Sequence, residues 1–534
     1  MTRLIAALPA CLLVLCALQG VAHGAGVTVR VDTSADTHPI SPYIYGSNLQ
    51  GGDKEGNVTC VRLGGNRATG YNWETNHSSA GSDWQQSSDD YMVQQVPEDQ
   101  RRVPGIVVTR FQRAAMQLGA ASVVTLQMAG YVAADNAGPV TPEQTAPSPR
   151  WARVEFRKGA PFALQPDLTD GVVYMDEQVN FLVSTFGRAD KGGVTMYSLD
   201  NEPALWKGTH PRIHPKPVTC DEPIERSATL SAAVKDVDPT ALVIGPALFG
   251  WSAFQNLGAE AAAPGWDRYA KQYDDWFINF YLDRMRQAGE QQGRRLLDVL
   301  DLHWYPEARG DGRRIVSGGR SSPGLALARV QAPRSLWDET YTEDSWITQS
   351  VGHPIRLLPR LRENVERWYP GTKLSFTELD YGGSGDDSGA VAQADVLGLF
   401  GRYGVYMSNH WGSLRGYTLA AYQVFRNYDG RNSTFGATSV AAQVADAERA
   451  SAYASLDGEG RLHLVLINRS LNEPAEFDVQ VAHGKPLVHA AAYVVDPTGP
   501  EVRALPGFEV EGNRFTYAAS ALSVSHVVLS PAER

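Results

Sequence analysis

Residues 353–378 read HPIRLLPRLRENVERWYPGTKLSFTE, and this stretch decides the fold class. Its first half carries apolar residues at the three- and four-residue spacing of an amphipathic helix, namely Ile355, Leu358, Leu361, Val365 and Trp368. Pro370 and Gly371 predict the end of this helix, and the apolar run 373–378 predicts a buried strand. A helix that leads directly into a buried strand is the repeating unit of parallel sheets covered by helices.

The same alternation extends from about residue 45 to about residue 415. Further continuous apolar runs, typical of strands covered on both faces, lie at 122–128, 193–199, 241–246 and 297–304. The alternation favours either a (β/α)8 barrel or a doubly wound sheet. No Gly-x-Gly-x-x-Gly motif follows a first strand, so the main signal of a dinucleotide-binding fold is missing.

The two ends of the chain have a different pattern, which predicts a β-sandwich or a small barrel. Residues 27–31 alternate apolar and polar side chains, and strand-like segments separated by turn residues recur near the C-terminus at 462–467, 477–481, 491–495 and 525–529. We expect the N-terminal strand to join the C-terminal sheet, since a chain end is readily ordered in this way. The predicted organisation is therefore a barrel over 45–415 and a β-sandwich formed by 25–44 with 416–534.

The first 24 residues have the pattern of a secretory signal. Arg3 precedes the apolar run 4–18, and small residues follow at 22–25. The run is short for a membrane span, although a signal anchor is an alternative. The mature protein is therefore expected to be secreted or periplasmic. It would keep only Cys60 and Cys220, and one disulfide and two free thiols are equally open.

The composition excludes several classes of function. The 534 residues are 43% hydrophobic, which is enough for a large core. The 48 Lys and Arg residues against 59 Asp and Glu residues give a net charge of −11. Such a chain is repelled by nucleic-acid phosphates and anionic lipid, so neither is an expected partner. We expect a monomer.

Two carboxylates stand at the carboxyl ends of predicted strands, where barrel enzymes carry their reactive groups. Glu202 ends the stretch 197–202, and Glu378 ends the strand 373–378. A single glutamate at such a place is more often a surface ion pair or a helix cap. Two that face one cleft could cleave a glycosidic bond, with Asn201 beside them to bind a sugar 2-hydroxyl.

Residues of a third strand end are expected on the same rim. His303 and Tyr305 are two positions apart, so a strand places them on one face. Tyr305 can hold the nucleophilic carboxylate, and His303 can bond the substrate or the acid. Metal ligation by His303 is the weaker alternative, because no second histidine stands at a ligand spacing. We therefore assign no metal site.

Polar and aromatic residues suited to sugars accompany these groups. The stretch 61–73 (VRLGGNRATGYNW) combines a strand with a glycine pair, and Arg62 and Asn66 are its candidate polar ligands. Aromatic rings can cover the C–H faces of a sugar. The candidates for this role are Tyr71, Trp73, Trp206, Trp304 and Trp411.

The stretch from Arg62 to Trp73, the run 197–203 ending in Asp-Asn-Glu-Pro and the strand with Glu378 together resemble glycoside hydrolase family 44. The resemblance covers nearly the whole mature chain, including 428–430, 435–436 and the C-terminal strands. It implies a (β/α)8 barrel with a β-sandwich built from both chain ends. It also implies retaining, endo-acting cleavage of β-1,4-glucan backbones such as cellulose derivatives, xyloglucan and mixed-linkage glucan.

The resemblance assigns Glu202 as the acid/base and Glu378 as the nucleophile. Retention then requires carboxyl groups about 5–5.5 Å apart, and it requires that Glu378 be held ionised, with Tyr305 and Arg62 as donors. Members of the family can hold structural calcium, but no catalytic cofactor is expected.

Two departures distinguish this chain from the family pattern. Residues 435–439 read FGATS where Gly-Asp-Thr-Ser is expected, and an Arg- and Gly-rich insertion spans 309–324. The lost carboxylate carries little catalytic weight, whereas a loop of altered length could change which glucan is accepted.

Two other functions stay open. A barrel hydrolase that acts on xylan or mannan would use the same two glutamates. A non-catalytic carbohydrate-binding protein would keep the aromatic groove and lack one of the carboxylates, and both are present here.

Overall fold

A closed barrel of eight parallel strands forms the larger part of the molecule, in a computed structural model that describes residues 26–532. The predicted signal segment lies outside the described residues. In chain order, the barrel strands are Gly46–Ser47, Cys60–Leu63, Ala121–Leu126, Met196–Leu199, Leu242–Leu248, Val299–Trp304, Lys373–Leu379 and Met407–His410. Each strand pairs in parallel with the next and the eighth pairs with the first, which confirms the barrel and excludes the doubly wound sheet.

Helices surround the barrel, and several of them pack directly against its strands. The helix predicted from 355 onward forms at Leu357–Trp368 and leads into the seventh strand, Lys373–Leu379. The other α-helices are Asn66–Thr69, Ile106–Leu118, Met175–Phe186, Trp206–Thr209, Glu222–Val237, Trp251–Asn256, Phe277–Gln291, Pro323–Gln331, Trp346–Val351, Asp387–Arg402 and Gly416–Arg426. The last of them packs against Asp387–Arg402, so the helical layer extends past residue 415.

Side chains fill the bottom of the barrel. One residue from each of six strands meets there: Cys60, Val123, Met196, Ile244, Val299 and Met407. Cys60 and Cys220 are both buried free thiols, which answers the question that the sequence left open. The plugged lower end restricts access to the upper rim, where the strands end.

The second unit is a ten-stranded sheet that combines the N-terminal strand with C-terminal ones. Its strands are Gly26–Asp32, His38–Pro39, Thr438–Val444, Ala450–Leu456, Leu462–Asn468, Ala475–Ala482, Leu487–Asp496, Gly499–Glu509, Arg514–Ala519 and Ser523–Pro531. The strand Gly26–Asp32 lies between Thr438–Val444 and Ala475–Ala482, as predicted.

This sheet curls over its own core and so forms the predicted sandwich. Gly499–Glu509 and Arg514–Ala519 stand at opposite ends of the hydrogen-bonded strand order. Yet Phe508 packs on Phe515 with ring centroids 5.3 Å apart, which closes the layer over a separate apolar core. No helix among the described residues is both long and apolar enough to cross a membrane.

Three small sheets decorate the barrel. They are formed by Tyr131–Ala133, Trp151–Glu155 and Val172–Tyr174, by Ser78–Ser79, Ser87–Asp89 and Gly138–Pro139, and by Arg309–Gly310 with Arg313–Arg314. The last pair lies in the insertion noted in the sequence.

Candidate active site

Glu202 is presented by a tight turn after the fourth barrel strand, Met196–Leu199. The fully buried Asp200 organises this turn, because its carboxylate accepts hydrogen bonds from the Thr69 hydroxyl at 2.6 Å and from the Asn201 N–H at 2.7 Å. Asp200 and Glu202 have φ angles of 60° and 45°. These left-handed conformations are costly for residues other than glycine and are often found at functional sites.

Arg62 crosses the mouth of the barrel from the second strand, Cys60–Leu63. Its side chain is fully buried, and it donates to Glu378 Oε1 at 2.8 Å and to Asn201 Oδ1 at 2.7 Å. The two glycines that follow explain how it fits. A side chain at Gly64 would collide with the guanidinium of Arg62, and one at Gly65 would collide with the ring of Trp411.

Glu378 receives one strong donor on each carboxylate oxygen. Besides the Arg62 bond to Oε1, the Tyr305 hydroxyl donates to Oε2 at 2.8 Å. Burial alone would raise the pKa of Glu378, but the charges of His303 and Arg62 and these two hydrogen bonds outweigh it and lower the pKa below its usual value. Burial and the charge of Glu378 raise the pKa of Tyr305, so its hydroxyl stays protonated. Glu378 is therefore held as a carboxylate.

His303 lies between the two glutamates. Its Nδ1 atom is 2.8 Å from Glu202 Oε1 and 3.6 Å from Glu378 Oε2. Burial opposes a charge on the ring, yet the charge of Glu378 and the hydrogen bond to Glu202 raise the pKa of His303 above its usual value. Since Nδ1 faces two acceptors, it carries a proton and donates to Glu202.

The two carboxyl groups are close together, and Glu202 adjoins a cavity. One oxygen of Glu202 and one of Glu378 lie within 4.8 Å of each other, with a nitrogen of His303 inside the same limit. A cavity of about 330 Å³ adjoins Glu202, and its wall includes Trp251, Trp304, Tyr305, Arg314 and Trp346.

The structure thus brings together six of the candidate residues: Arg62, Asn201, Glu202, His303, Tyr305 and Glu378. Trp304 and Trp411 also lie there: Trp304 in the cavity wall, and Trp411 against Gly65. Asn66 is half-buried, and its side chain donates to the backbone of Ala80.

Three predicted sugar contacts are wrong because their side chains are in the core. Tyr71, Trp73 and Trp206 are 2%, 0% and 0% exposed. Tyr71 donates to Asn76 within its own loop, and the Trp206 indole donates to the carbonyl of Asn201 at 2.9 Å. Trp206 therefore supports the Glu202 turn from behind.

Sequence reasoning missed several residues of the cavity wall, among them Trp346 and Arg314. Trp346 is 41% exposed on the cavity wall, at the start of a short helix capped by the Ser345 hydroxyl. Arg314 comes from the 309–324 insertion and donates to the carbonyl oxygens of Tyr305 at 2.7 Å and Pro306 at 2.9 Å. Neither follows a predicted barrel strand, so the strand-end rule could not find them.

A metal ion is the alternative occupant of this site. Glu202, His303 and Glu378 could together reach one ion, but Arg62 and Tyr305 already donate to both oxygens of Glu378, which suits acid–base chemistry better.

Known proteins share both the sequence and the fold. Residues 77–308 match the family described as glycoside hydrolase family 44. Endoglucanase A of Paenibacillus lautus is 48% identical over 516 residues, which are 95% of this chain and 73% of that protein. Beta-mannanase/endoglucanase A of Caldicellulosiruptor saccharolyticus is 44% identical, over 94% of this chain and 39% of that longer protein.

A solved structure extends this similarity to three dimensions. The Paenibacillus polymyxa xyloglucanase from family 44, determined with xyloglucan, is 47% identical and superposes with a TM-score of 0.91. The match covers 95% of this chain and 100% of that one.

Proposed function

Because this chain belongs to glycoside hydrolase family 44, we propose that it cleaves the backbone of β-1,4-glucans internally and with retention of configuration. The chain is a glycoside hydrolase, and its relatives include an endoglucanase, a beta-mannanase/endoglucanase and a xyloglucanase. The observation that carries the mechanism is the pair of carboxylates, Glu202 and Glu378, with oxygens within 4.8 Å. This short separation supports direct attack by one carboxylate and leaves little room for an intervening water.

In the first step, Glu378 attacks the anomeric carbon while Glu202 protonates the leaving glycosidic oxygen. The donors Arg62 and Tyr305 keep Glu378 ionised and fix its orientation. His303 donates to Oε1 of Glu202, which leaves Oε2 of that carboxyl group to carry the transferred proton. Arg62 donates to the side-chain oxygen Oδ1 of Asn201 and so fixes the amide. Its NH2 group is then available for the sugar 2-hydroxyl.

In the second step, water attacks the glycosyl ester and releases Glu378. Formation of the ester removes the charge of Glu378, so Glu202 can carry a negative charge and take the proton from water. The two residues therefore exchange charge between the steps, as a double displacement requires.

A comparison of azide rescue in two variants tests the assignments. With an activated aryl β-glycoside, Glu202→Ala should still form the glycosyl-enzyme, and azide should restore turnover as the β-glycosyl azide. If azide instead gave the β-glycosyl azide with Glu378→Ala and the α-product with Glu202→Ala, the two roles would have to be exchanged. NMR of the first product formed by the wild type should show the β-anomer, whereas an initial α-anomer would contradict retention.

The preferred polymer is the second part of the proposal. The wall of the cavity contains aromatic rings, including Trp304 and Trp346, and it contains Arg314 from the insertion. Release of reducing ends from carboxymethylcellulose, xyloglucan, mixed-linkage glucan, xylan and glucomannan would rank the substrates. A higher kcat/KM on xylan or glucomannan than on every glucan would reject the glucanase assignment.

Two accompanying proposals concern location and calcium. The leader pattern of residues 1–24 supports action outside the cytoplasm, where polymeric substrates are found. The resemblance to the family supports structural calcium that takes no part in the chemistry. Chelation should then lower the Tm and calcium should restore it, whereas an unchanged Tm would reject calcium binding.

A further inference from the structure

In the seventh barrel strand, Lys373–Leu379, the alternation of inward- and outward-pointing side chains is interrupted before Glu378. Ser375 and Thr377 both point into the barrel, where they bond Asp301, while Phe376 points outward and stacks on Phe400 with ring centroids 5.3 Å apart. Regular alternation would place Glu378 on the outer face together with Phe376. The structure instead turns Glu378 inward, toward Arg62 and Tyr305.

A β-bulge at Thr377 produces this reversal. On the sixth strand, Leu302 pairs with Phe376 and the next residue, His303, pairs with Glu378, so Thr377 has no partner. The register to the eighth strand shifts over the same residues. A bulge of this kind inserts one residue and redirects the side chains that follow it.

Side chains satisfy every polar group that this bulge takes out of the sheet. Asp301 accepts the Thr377 N–H at 3.2 Å on Oδ1 and the Thr377 hydroxyl at 2.7 Å on Oδ2. Asn48 donates its amide to the Thr377 carbonyl at 2.9 Å. Asp301 and Thr377 are fully buried and Asn48 is 8% exposed, so water does not replace these partners.

We infer that Asp301 and Asn48 are positioning residues, which aim the Glu378 carboxylate into the cleft by clamping the bulge at Thr377. The inference rests on the proposed role of Glu378 as nucleophile. Asn48 is also 3.4 Å from the Arg62 guanidinium, so the clamp connects to the donor on the other side of Glu378. Without the clamp, the carboxylate would lose its alignment with Arg62 and Tyr305.

The variant Thr377→Val tests the clamp. It removes the hydroxyl bond to Asp301 but keeps the backbone N–H, the size of the side chain and β-branching. A misplacement of this kind should lower kcat by about 10- to 100-fold with KM changed less than about twofold. Thr377→Ser restores the hydroxyl and should recover kcat to within about threefold of the wild type. Ser375→Ala is the matched control, because it removes a different bond to Asp301 and should leave kcat within about twofold.

The pH profile separates positioning from a general structural role. Arg62 and Tyr305 lower the pKa of Glu378, so poorer alignment with them must raise it. The acid limb of kcat/KM should therefore move to higher pH in Thr377→Val and in Asn48→Ala. If both variants lost activity only in proportion to their folded fraction, with the acid limb unmoved, the inference would be overturned.

A covalent trap distinguishes failure of this inference from failure of the proposed function. With a 2-deoxy-2-fluoro glycoside, a bond forms between Glu378 and the anomeric carbon, and the bond to the activated leaving group breaks with the electron pair leaving on that group. Mass spectrometry of the wild type should find the label on Glu378, and a label elsewhere would refute the nucleophile assignment. A label on Glu378 that forms equally fast in Thr377→Val would refute only the clamp.

Discussion

Two buried clusters of this molecule use the same ingredients for different purposes. In the cleft, Arg62 pairs with Glu378 at 2.8 Å, and the Tyr305 hydroxyl donates to the other oxygen of that carboxylate. Between the barrel and the sandwich, Arg469 pairs with Asp395 at 2.6 Å, and the Tyr453 hydroxyl also donates to Asp395, at 2.6 Å. Both arginines are 0–1% exposed.

The clusters differ in their charge balance and in their access to water. Asp395 is 0% exposed and balances the charge of Arg469, and it also accepts the Ser451 hydroxyl. The cleft holds a second carboxylate, Glu202, whose side chain is 18% exposed beside the cavity. A buried ion pair is therefore no sign of a catalytic site by itself. Here an additional carboxylate with access to the cavity marks the site.

The largest expected effect is a loss of catalytic activity in a protein that still folds. Glu378→Gln keeps the shape of the side chain but cannot attack as a carboxylate, so kcat should fall by about 10⁴-fold or more. The free energy of unfolding should fall by less than the ~3–5 kcal/mol expected for an ion pair cut off from water, since Glu202 remains as a second carboxylate beside the cavity. For a chain of this length, each kcal/mol corresponds to roughly 1 °C in Tm. Near wild-type rates on polymer would disprove the assignment.

The matching change in the cluster of Arg469 and Asp395 should lower stability and leave the activity of the folded protein unchanged. Asp395→Asn leaves Arg469 buried without its counter-charge and should destabilise the protein by ~3–5 kcal/mol. At a temperature where the variant is folded, kcat should stay within about twofold of the wild type. The surface pair of Arg286 with Glu290 provides the control: Glu290→Gln should cost less than ~1 kcal/mol. Scanning calorimetry and initial rates measure both quantities, and a stable but inactive Asp395→Asn would contradict the contrast.

Acid should weaken both regions through buried histidines. Burial lowers the pKa of His210, near the cleft turn, to about 4 and that of His526, between barrel and sandwich, to about 3. Both groups have a pKa near 6.5 when the chain is unfolded. The unfolded chain therefore binds more protons below that value, and stability is lost as the pH falls from about 6.5 toward 4 and 3.

The slope should reach about 1.4 kcal/mol per pH unit for each imidazole. Thermal unfolding followed between pH 7 and pH 5 measures this slope, and His210→Gln and His526→Gln should each remove one share of it. A slope that neither variant changes would mean that other groups carry the acid sensitivity.

The smallest expected effect concerns the insertion. Arg314 holds the backbone of Tyr305, which in turn holds Glu378. Arg314→Ala should lower kcat by about fivefold, the equivalent of one lost hydrogen bond of ~1 kcal/mol. Arg313→Ala is the control from the same loop, since Arg313 bonds only carbonyl oxygens of that loop. Equal kinetic constants for the two variants would show that the insertion does not position Tyr305.

Local patterns predicted the parts of the fold that local physics determines. The helix Leu357–Trp368 and the strand Lys373–Leu379 follow from apolar spacing and a Pro-Gly stop. The first and eighth barrel strands, Gly46–Ser47 and Met407–His410, have two and four residues, which are too few to show periodicity. Their pairing depends on closure of the barrel, and no short segment encodes that closure.

The sequence predicts the site residues that lie at strand ends, but it does not predict which aromatic side chains are exposed. Glu202 follows a strand and Glu378 lies near the end of one, so strand ends predict their places, although the bulge that turns Glu378 inward leaves no pattern in the sequence. Trp73 and Trp206 have polar neighbours in the sequence, yet their rings pack in the core. An indole suits both environments, so sequence cannot separate them.

The N-terminal strand Gly26–Asp32 has a consequence for how the molecule is made. It is synthesised before the barrel, but Gly26 pairs with Glu476, about 450 residues later. At roughly 5–20 residues per second, the strand waits about 20–90 s on the ribosome before that neighbour exists. During this time both of its edges are open to other chains. The sandwich is therefore the last part of the molecule to assemble. When many chains are synthesised close together, mispairing with another chain threatens the sandwich more than the barrel.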